Sequence, residues 1–253
     1  MQFKSILAHL VAAASTAVLL ATSAHAALLG RDINGNAVAG SDASSVFLYD
    51  TDRNITWLRD ANVNGFMLWD AANTWANGYS IGAFSDWRLP TMTTTGSNLC
   101  EFSAAGGTNC GYNVDTTTGE IAHLWYDELP GNLAYCPPGG DPSCVGGPQP
   151  GWGLTNPGDF LNMQADYYWY GTSFASQVFV NSSFSHFHTD FGYQGANPNF
   201  FAQFTQYGFA MAVRDGDVLR NQVPEPESLL LALTALGAMA LVRRRRAVRA
   251  SAA

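Results

Sequence analysis

The segment Ser85-Asp86-Trp87-Arg88-Leu89-Pro90-Thr91 carries the strongest structural signal in the middle of the chain. Pro90 disfavours helical backbone at the residue before it, so Leu89 is expected to be extended. Trp87 and Leu89 are large apolar side chains that should pack into a core. Arg88 lies between them and therefore needs a carboxylate or several carbonyl oxygens as partners. The segment is therefore predicted to be a strand or loop packed by Trp87 and Leu89.

A helix is predicted before this segment. Apolar residues recur there at helical spacing, so the stretch from about Met67 to Asn77 should form an amphipathic helix. Gly78 is placed to end this helix. The predicted apolar stripe consists of Leu68, Ala72, Trp75, Ala76 and Tyr79.

A second helix is predicted after the segment. Thr117 and Glu120 have the spacing of a capping box, and Pro130-Gly131 would end the helix. His123 and Glu128 fall outside the apolar stripe and are predicted to be solvated. Asp127 and Glu128 are adjacent and should not face one another, which argues against a paired-carboxylate site. The predicted buried stripe consists of Ile121, Leu124, Trp125 and Leu129.

Short aromatic and β-branched runs predict strands in the rest of the body. Ser45 to Tyr49 and Ile55 to Leu58 are expected to pair around a turn from Asp50 to Asn54. Together with two helices, the strands predict an α+β domain with short antiparallel strands and long loops. Further strands are predicted at Tyr167–Thr172, Gln177–Val180 and Gly208–Val213.

The segment from Pro130 to Ala165 is predicted to be a long loop. Fifteen of its thirty-six residues are Gly or Pro, a composition that excludes a packed helix or a central strand. Long ordered loops are often functional, so this loop is a candidate contact surface.

The four cysteines predict disulfides, because their number is even and the chain carries export signals, described below. Three pairings are possible. Closing a short loop costs less entropy, which favours Cys100–Cys110 and Cys136–Cys144. A zinc site is the alternative, but the chain has no C-x-x-C spacing and no histidine close to these cysteines.

Residues 1–26 have the features of a secretory signal peptide. Lys4 provides a positive charge, Ile6 to Leu20 is mostly apolar, and Ala24-His25-Ala26 fits the cleavage site, with Ala24 and Ala26 as its small residues. The Sec translocon and signal peptidase are the implied partners. The domain that remains is predicted to span residues 27–222 and to lie outside the cytoplasm.

The C-terminal segment, residues 223–253, has three parts. Pro224-Glu225-Pro226 is followed by a predicted hydrophobic helix at about 228–242 and by Arg243, Arg244, Arg245 and Arg246. The arginines should remain on the cytoplasmic side of a membrane. The fourteen apolar residues from Leu229 to Val242 would span roughly 21 Å as a helix, less than the ~30 Å hydrocarbon core.

In composition and order, these three parts resemble the PEP-CTERM sorting signal of exopolysaccharide-producing Gram-negative bacteria. The resemblance implies that an exosortase, a membrane-embedded protease-transpeptidase, recognises and cleaves the tail. It also implies transient anchoring in the inner membrane by the C-terminal transmembrane helix, followed by release to the cell surface or extracellular matrix. A permanent tail anchor is the alternative, and the short apolar run favours the processed signal.

The body also resembles a known family. Asp86-Trp87-Arg88-Leu89-Pro90-Thr91 is joined by Tyr168-Trp169 with Gly171-Thr172, and by Ala212-Val213-Arg214. Together these motifs resemble the Lcl C-terminal domain family, a domain of unknown function in bacterial surface proteins. The resemblance covers roughly Val46 to Asp217. Tyr170 and Gly171 depart from it, because small hydroxyl residues are expected at those positions.

The family resemblance implies a C-type-lectin-like architecture related to formylglycine-generating enzymes. Those enzymes need reactive cysteines late in the domain, and this chain has no cysteine after Cys144. Their oxidase chemistry is therefore not implied, and no cofactor is predicted.

Charge excludes one class of partner. The body holds six arginines, no lysine and eighteen carboxylates, which gives a formal charge near −12. A surface this acidic repels phosphate backbones, so nucleic acid is not expected as a partner.

Two functions remain open. The first is a non-catalytic surface or biofilm-matrix protein that binds exopolysaccharide, a surface glycan or another surface component through its aromatic loops. The aromatic residues could equally form the core of a fold that is low in Leu and Ile. The alternative is a metal-dependent hydrolase built on His186, His188 and Asp190, which would share one face of a strand. A competing interpretation of these three residues is that they are exposed polar positions alternating with buried Phe184 and Phe187.

Overall fold

The structure, a computed structural model, describes residues 28–93, 100–140, 144, 147–175, 182–197 and 206–219. The predicted signal peptide, the sorting tail with its hydrophobic helix, and the predicted strand Gln177–Val180 lie outside these residues. Within them, helices and strands are mixed, so the predicted α+β class is confirmed. None of the helices in this described part is long and apolar enough to cross a membrane.

In the described part of the chain, the strands form two sheets. The first has four strands in the order β1-β2-β3-β9, and the second has five in the order β4-β5-β8-β7-β6. All neighbouring strands are antiparallel except the short pair β4 and β5. The strands are β1 (Leu28–Asp32), β2 (Ser45–Asp50), β3 (Ile55–Leu58), β4 (Phe102–Ser103), β5 (Cys110–Tyr112), β6 (Tyr167–Ala175), β7 (Ser182–His188), β8 (Tyr193–Asn197) and β9 (Val213–Asp215).

The predicted hairpin is confirmed. β2 and β3 pair with Phe47 opposite Leu58 and Asp50 opposite Ile55. The Asp50 carboxylate closes the turn, since its Oδ1 accepts hydrogen bonds from the backbone N–H groups of Asp52 at 3.0 Å and Arg53 at 2.9 Å. Only one oxygen of Asp50 is used in this way.

The later strands agree with the sequence in part. β6 contains the predicted strand Tyr167–Thr172. The predicted strand Gly208–Val213 is wrong over most of its length, because Gly208 and Phe209 form only isolated bridges and β9 starts at Val213. β7 and β8 form where strand propensity is low. Their Ser, Gln, Asn and Gly residues disfavour strands, and pairing within the sheet overrides this preference.

Two helical regions pack against the sheets. The first helix, α1, covers Trp69–Gly78 and buries Ala72 and Ala76 from the predicted stripe. The second region has a 3-10 turn at Thr116–Thr118, one α-helical turn, α2, at Glu120–His123, and a π-helical turn at Leu124–Glu128. Its predicted stripe is confirmed as buried.

The predicted capping box is wrong. Asp115, rather than Thr117, begins the 3-10 turn, and its side chain accepts a hydrogen bond from the Thr117 backbone N–H at 2.9 Å. The Glu120 carboxylate is occupied elsewhere, by Arg88 and by the Thr91 backbone N–H.

The Ser85–Thr91 segment connects the two sheets. Arg88 exchanges two backbone hydrogen bonds with Val213 of β9, in the first sheet. Pro90 O accepts a hydrogen bond from Gly171 N–H of β6, in the second sheet, at 2.7 Å. The predicted partners of Arg88 are present, because its guanidinium binds both oxygens of Glu120 at 2.8 and 2.9 Å and Asp215 at 2.6 Å. Trp87 and Leu89 are buried.

The core is aromatic. Tryptophans 57, 87, 125 and 169 are buried, together with Tyr168, Tyr170, Phe47 and Phe187. The chain has seven tryptophans. One of them, Trp152 in the long loop, is exposed. The largest buried side chains are thus aromatic.

Disulfides join Cys100 to Cys110 and Cys136 to Cys144, with Cα–Cα distances of 5.5 and 5.6 Å. These are the pairs with the shortest loops. The described residues of the loop from Pro130 to Ala165 contain no helix and no strand. Side-chain oxygen Oδ1 of Asn132 orders part of this loop by accepting hydrogen bonds from the backbone N–H groups of Thr155 and Asn156, both at 2.8 Å.

Candidate functional site

Aromatic side chains fix the long loop to the turn between β7 and β8. Trp152 stacks on Phe191 with 5.5 Å between ring centroids and an interplanar angle of 4°. Tyr135 contacts both rings edge-on, at 5.0 and 6.0 Å. The Tyr135 backbone N–H also donates a hydrogen bond to the Phe191 carbonyl oxygen at 2.8 Å. The loop is therefore held in place and presents Trp152 at the surface.

The aromatic cluster continues onto the second sheet. Tyr193 of β8 contacts Tyr112 at 5.3 Å and Phe102 at 6.2 Å, and Tyr112 contacts Tyr135 at 6.2 Å. Phe102 is 57% exposed and Trp152 is 37% exposed, although both are large apolar side chains. We call this set the aromatic face; it consists of Phe102, Tyr112, Tyr135, Trp152, Phe191 and Tyr193.

Polar groups lie beside the aromatic face. The His188 ring contacts Phe191 at 5.9 Å and Tyr193 at 5.9 Å, and its Nδ1 is 3.3 Å from Oδ1 of Asp190. Burial raises the pKa of the Tyr112 and Tyr193 hydroxyls, so both stay neutral at ordinary pH. Exposed apolar side chains that lie together beside polar groups mark a candidate binding surface.

The three residues predicted to bind a metal, His186, His188 and Asp190, do not converge on one point. β7 places His186 and His188 on one face, with ring centroids 5.2 Å apart. His186, however, is stacked against Tyr167 at 4.3 Å and Tyr193 at 6.0 Å. The structure describes all three residues, and their ligand atoms do not form a group within 4.8 Å of one another.

The interpretation of His186 as an exposed polar residue is wrong. Phe184 and His186 lie on one face of β7 and Phe187 on the other, and all three are buried. β7 lies between β6 and β8, so both of its edges are paired, and other elements cover both of its faces. Burial lowers the pKa of His186 to about 3, and the nearby His188 contributes to the shift.

A second group of ionisable side chains was not expected from the sequence. His123 is buried and only 2% of the Glu128 side chain is exposed, which contradicts the prediction that both are solvated. The π-helical turn explains the difference, since it changes the residue spacing after His123 and brings both Asp127 and Glu128 to the histidine. His123 Nδ1 is 2.9 Å from Asp127 Oδ2, and His123 Nε2 is 3.4 Å from Glu128 Oε1.

Asp50 completes this group. It reaches His123 from the end of β2, with 3.7 Å between Asp50 Oδ2 and His123 Nε2. Burial disfavours the charged imidazole, but the carboxylates of Asp127, Glu128 and Asp50 outweigh burial and raise the pKa of His123 to about 9. We call these four residues the carboxylate–histidine cluster. Asp50 and His123 are far apart in the sequence, so no local sequence pattern could predict their contact.

Comparisons with known proteins concern the tail. The model of the PEP-CTERM protein-sorting motif matches residues 222–246. This match contains Pro224-Glu225-Pro226, the apolar run and the four arginines of the predicted signal. Comparison of the chain with curated proteins and with solved structures finds no significant match.

The sorting motif supports an exosortase-substrate signal, with an exosortase as the processing partner. It therefore supports an exported protein that is anchored in the membrane and then displayed at the cell surface. The sorting residues and the signal-peptide residues Ala24 and Ala26 lie outside the described residues.

Proposed function

We propose that the exported chain is a non-catalytic glycan-binding protein of the cell surface or biofilm matrix. We also propose that its body has a C-type-lectin-like architecture, as the resemblance to the Lcl C-terminal domain family implies. The sorting motif supplies the context, because it supports export and display at the cell surface.

The observation that carries the proposal is the aromatic face. Tyr and Trp rings stack on the apolar faces of sugars, and their polar groups can hydrogen-bond to sugar hydroxyls. Trp152 is exposed while its ring is fixed by Phe191 and Tyr135, so little conformational entropy is lost when a ligand binds. His188 and Asp190 offer polar contacts at the margin of the same surface.

Charge favours a neutral glycan. The body carries a formal charge near −12, from six arginines and eighteen carboxylates. An acidic polysaccharide would be repelled by this surface, and a neutral one would not.

The fold proposal rests on the positions of the family motifs. The Arg88 backbone pairs with Val213, so the first motif lies beside the closing strand. Trp169 of the second motif is buried in β6, and Arg214 of the third is in β9. The metal-dependent hydrolase on His186, His188 and Asp190 is the weaker alternative, because the ligand atoms of these residues do not converge.

The test is glycan-array binding by the purified full chain, compared with a Trp152→Ala variant. We expect the intact chain to bind neutral glycans, and the variant to bind about tenfold more weakly or worse, since each 1.4 kcal/mol of lost stacking is tenfold. Tyr207→Ala is the matched control, because Tyr207 is an exposed aromatic residue outside the aromatic face. Equal binding by all three proteins would remove the aromatic face from the proposal, and no binding by the intact chain would overturn it.

A further inference from the structure

Three ligand atoms of the carboxylate–histidine cluster converge on one point. Asp50 Oδ2, His123 Nε2 and Glu128 Oε1 all lie within 4.8 Å of one another. The Asp50 side chain is completely buried, and His123 is more than nine-tenths buried. Neither Asp50 Oδ2 nor His123 Nε2 has a hydrogen-bond partner. Buried polar atoms without partners are costly, so a group that binds both would stabilise the fold.

The surrounding structure aims these atoms. Asp50 uses its other oxygen, Oδ1, to close the β2–β3 turn, which directs Oδ2 away from the turn and towards His123. Asp127 contacts the opposite nitrogen of the histidine, Nδ1, at 2.9 Å. Histidines that bind metal through one ring nitrogen usually donate a hydrogen bond from the other, often to a carboxylate.

We propose that Asp50, His123 and Glu128 bind a divalent cation of the zinc or manganese class. One imidazole nitrogen with two carboxylate oxygens suits these ions. Two ligands that bind zinc at about 2.1 Å with a tetrahedral angle lie roughly 3.4 Å apart. The distances from His123 Nε2 are close to this value, at 3.4 Å to Glu128 and 3.7 Å to Asp50, and the two carboxylate oxygens lie within 4.8 Å of each other.

Charge balance supports a divalent ion. The cluster contains three carboxylates, from Asp50, Asp127 and Glu128, and the Arg53 guanidinium lies nearby and donates hydrogen bonds to the Thr116 and Thr117 carbonyl oxygens. With neutral histidine, these side chains sum to a charge of about −2 before a cation binds. A divalent cation neutralises this charge in a region where unpaired charge is expensive.

A surface cavity adjoins the proposed site. Glu128 also lines a surface cavity of about 240 Å³, together with Leu129 and Asn156. A water molecule from this cavity would supply the fourth ligand. The bound cation would connect the end of β2 to the π-helical turn, two regions that are far apart in sequence.

The test is metal analysis of the purified full chain. The chain is stripped with a chelator, exposed to excess Zn²⁺ or Mn²⁺, and dialysed, and the bound metal is then measured by mass spectrometry. We expect one ion per chain and a higher melting temperature with the ion than without it. Asp50→Asn should abolish binding. Asp52→Asn is the matched control, since Asp52 is an exposed carboxylate in the same β2–β3 turn, and this variant should bind one ion.

Asp127→Asn provides a second variant that keeps the three ligands. Its side chain is 43% exposed, so this variant should fold. We expect it to bind the cation about 10–100-fold more weakly, as is typical when the partner of a ligating histidine is removed. Two results would overturn the proposal: substoichiometric metal in the intact chain, or full binding by Asp50→Asn. The first result would show that the cluster does not retain an ion, and the second that any bound ion does not use Asp50.

Discussion

His123 and His186 are almost equally buried, with 7% and 6% of their surface exposed, yet their surroundings are opposite in kind. His123 faces three carboxylates, which raise its pKa to about 9 against the effect of burial. His186 is stacked between tyrosine rings, and burial lowers its pKa to about 3. Burial removes water from both rings, and the neighbouring charges then decide which protonation state is stable. A buried histidine therefore has no fixed role in this fold.

The largest expected effect comes from replacing each histidine by phenylalanine. His123→Phe leaves the buried carboxylates of Asp50 and Glu128 without a positive partner, and should destabilise the chain by about 3–5 kcal/mol. His186→Phe retains the stacking on two tyrosines and removes a nitrogen, Nδ1, that has no partner. It should cost less than about 1.5 kcal/mol.

Urea unfolding at pH 7 with a chelator present measures both variants without a contribution from bound metal. Tyr207→Ala, at an exposed position, controls for the general effect of a substitution. If the two histidine variants lose the same free energy of unfolding, the carboxylates around His123 do not make its replacement more costly than that of His186.

The second, smaller expected effect is a loss of folding stability at acidic pH. The pKa of His186 is about 3 in the folded chain and 6.5 for an unperturbed histidine, so the unfolded chain binds a proton that the folded chain does not between these values. The contribution of His186 to stability should therefore fall as the pH decreases from 6.5 towards 3, by about 1.4 kcal/mol per pH unit. His123 acts in the opposite window: with a raised pKa it contributes fully below pH 6.5 and loses that contribution as the pH rises through about 9.

The measurement is the free energy of unfolding of the intact chain and of His186→Phe across this pH range. The difference between the two should change with pH below 6.5 and be constant above it. Parallel curves would show that His186 does not resist protonation in the folded chain.

Some features of the fold could be predicted from the sequence, and others could not. The β2–β3 hairpin and the carboxylate partners of Arg88 follow from local rules, namely strand propensity, turn chemistry and the need to pair a charge near a core. The carboxylate–histidine cluster does not follow from such rules. Asp50 meets His123 only through the tertiary fold, and Glu128 turns inward because of a π-helical turn that α-helical spacing cannot anticipate.

For His186, the sequence predicted the direction of the side chain correctly but not its burial. Alternation along a strand correctly placed His186 and His188 on one face of β7. No local pattern indicates that both faces of β7 are covered, because coverage depends on residues contributed by other elements of the fold. The aromatic face has the same origin, since it joins residues of the long loop to β5 and β8.

The smallest expected effect concerns His188 and Asp190, a histidine–carboxylate pair intermediate between the two buried cases. Both side chains are partly exposed, at 26% and 29%, and a single carboxylate lies 3.3 Å from the ring. The two contacting atoms are themselves buried, but the rest of both side chains meets water, which screens the pair in part. Asp190→Asn should therefore change the free energy of unfolding by about 0–1 kcal/mol, and by less at high salt. Urea unfolding at low and high ionic strength measures both values. A loss above about 1 kcal/mol that persists in salt would mean that the pair behaves like the buried cluster around His123, and exposure would then not be what separates these sites.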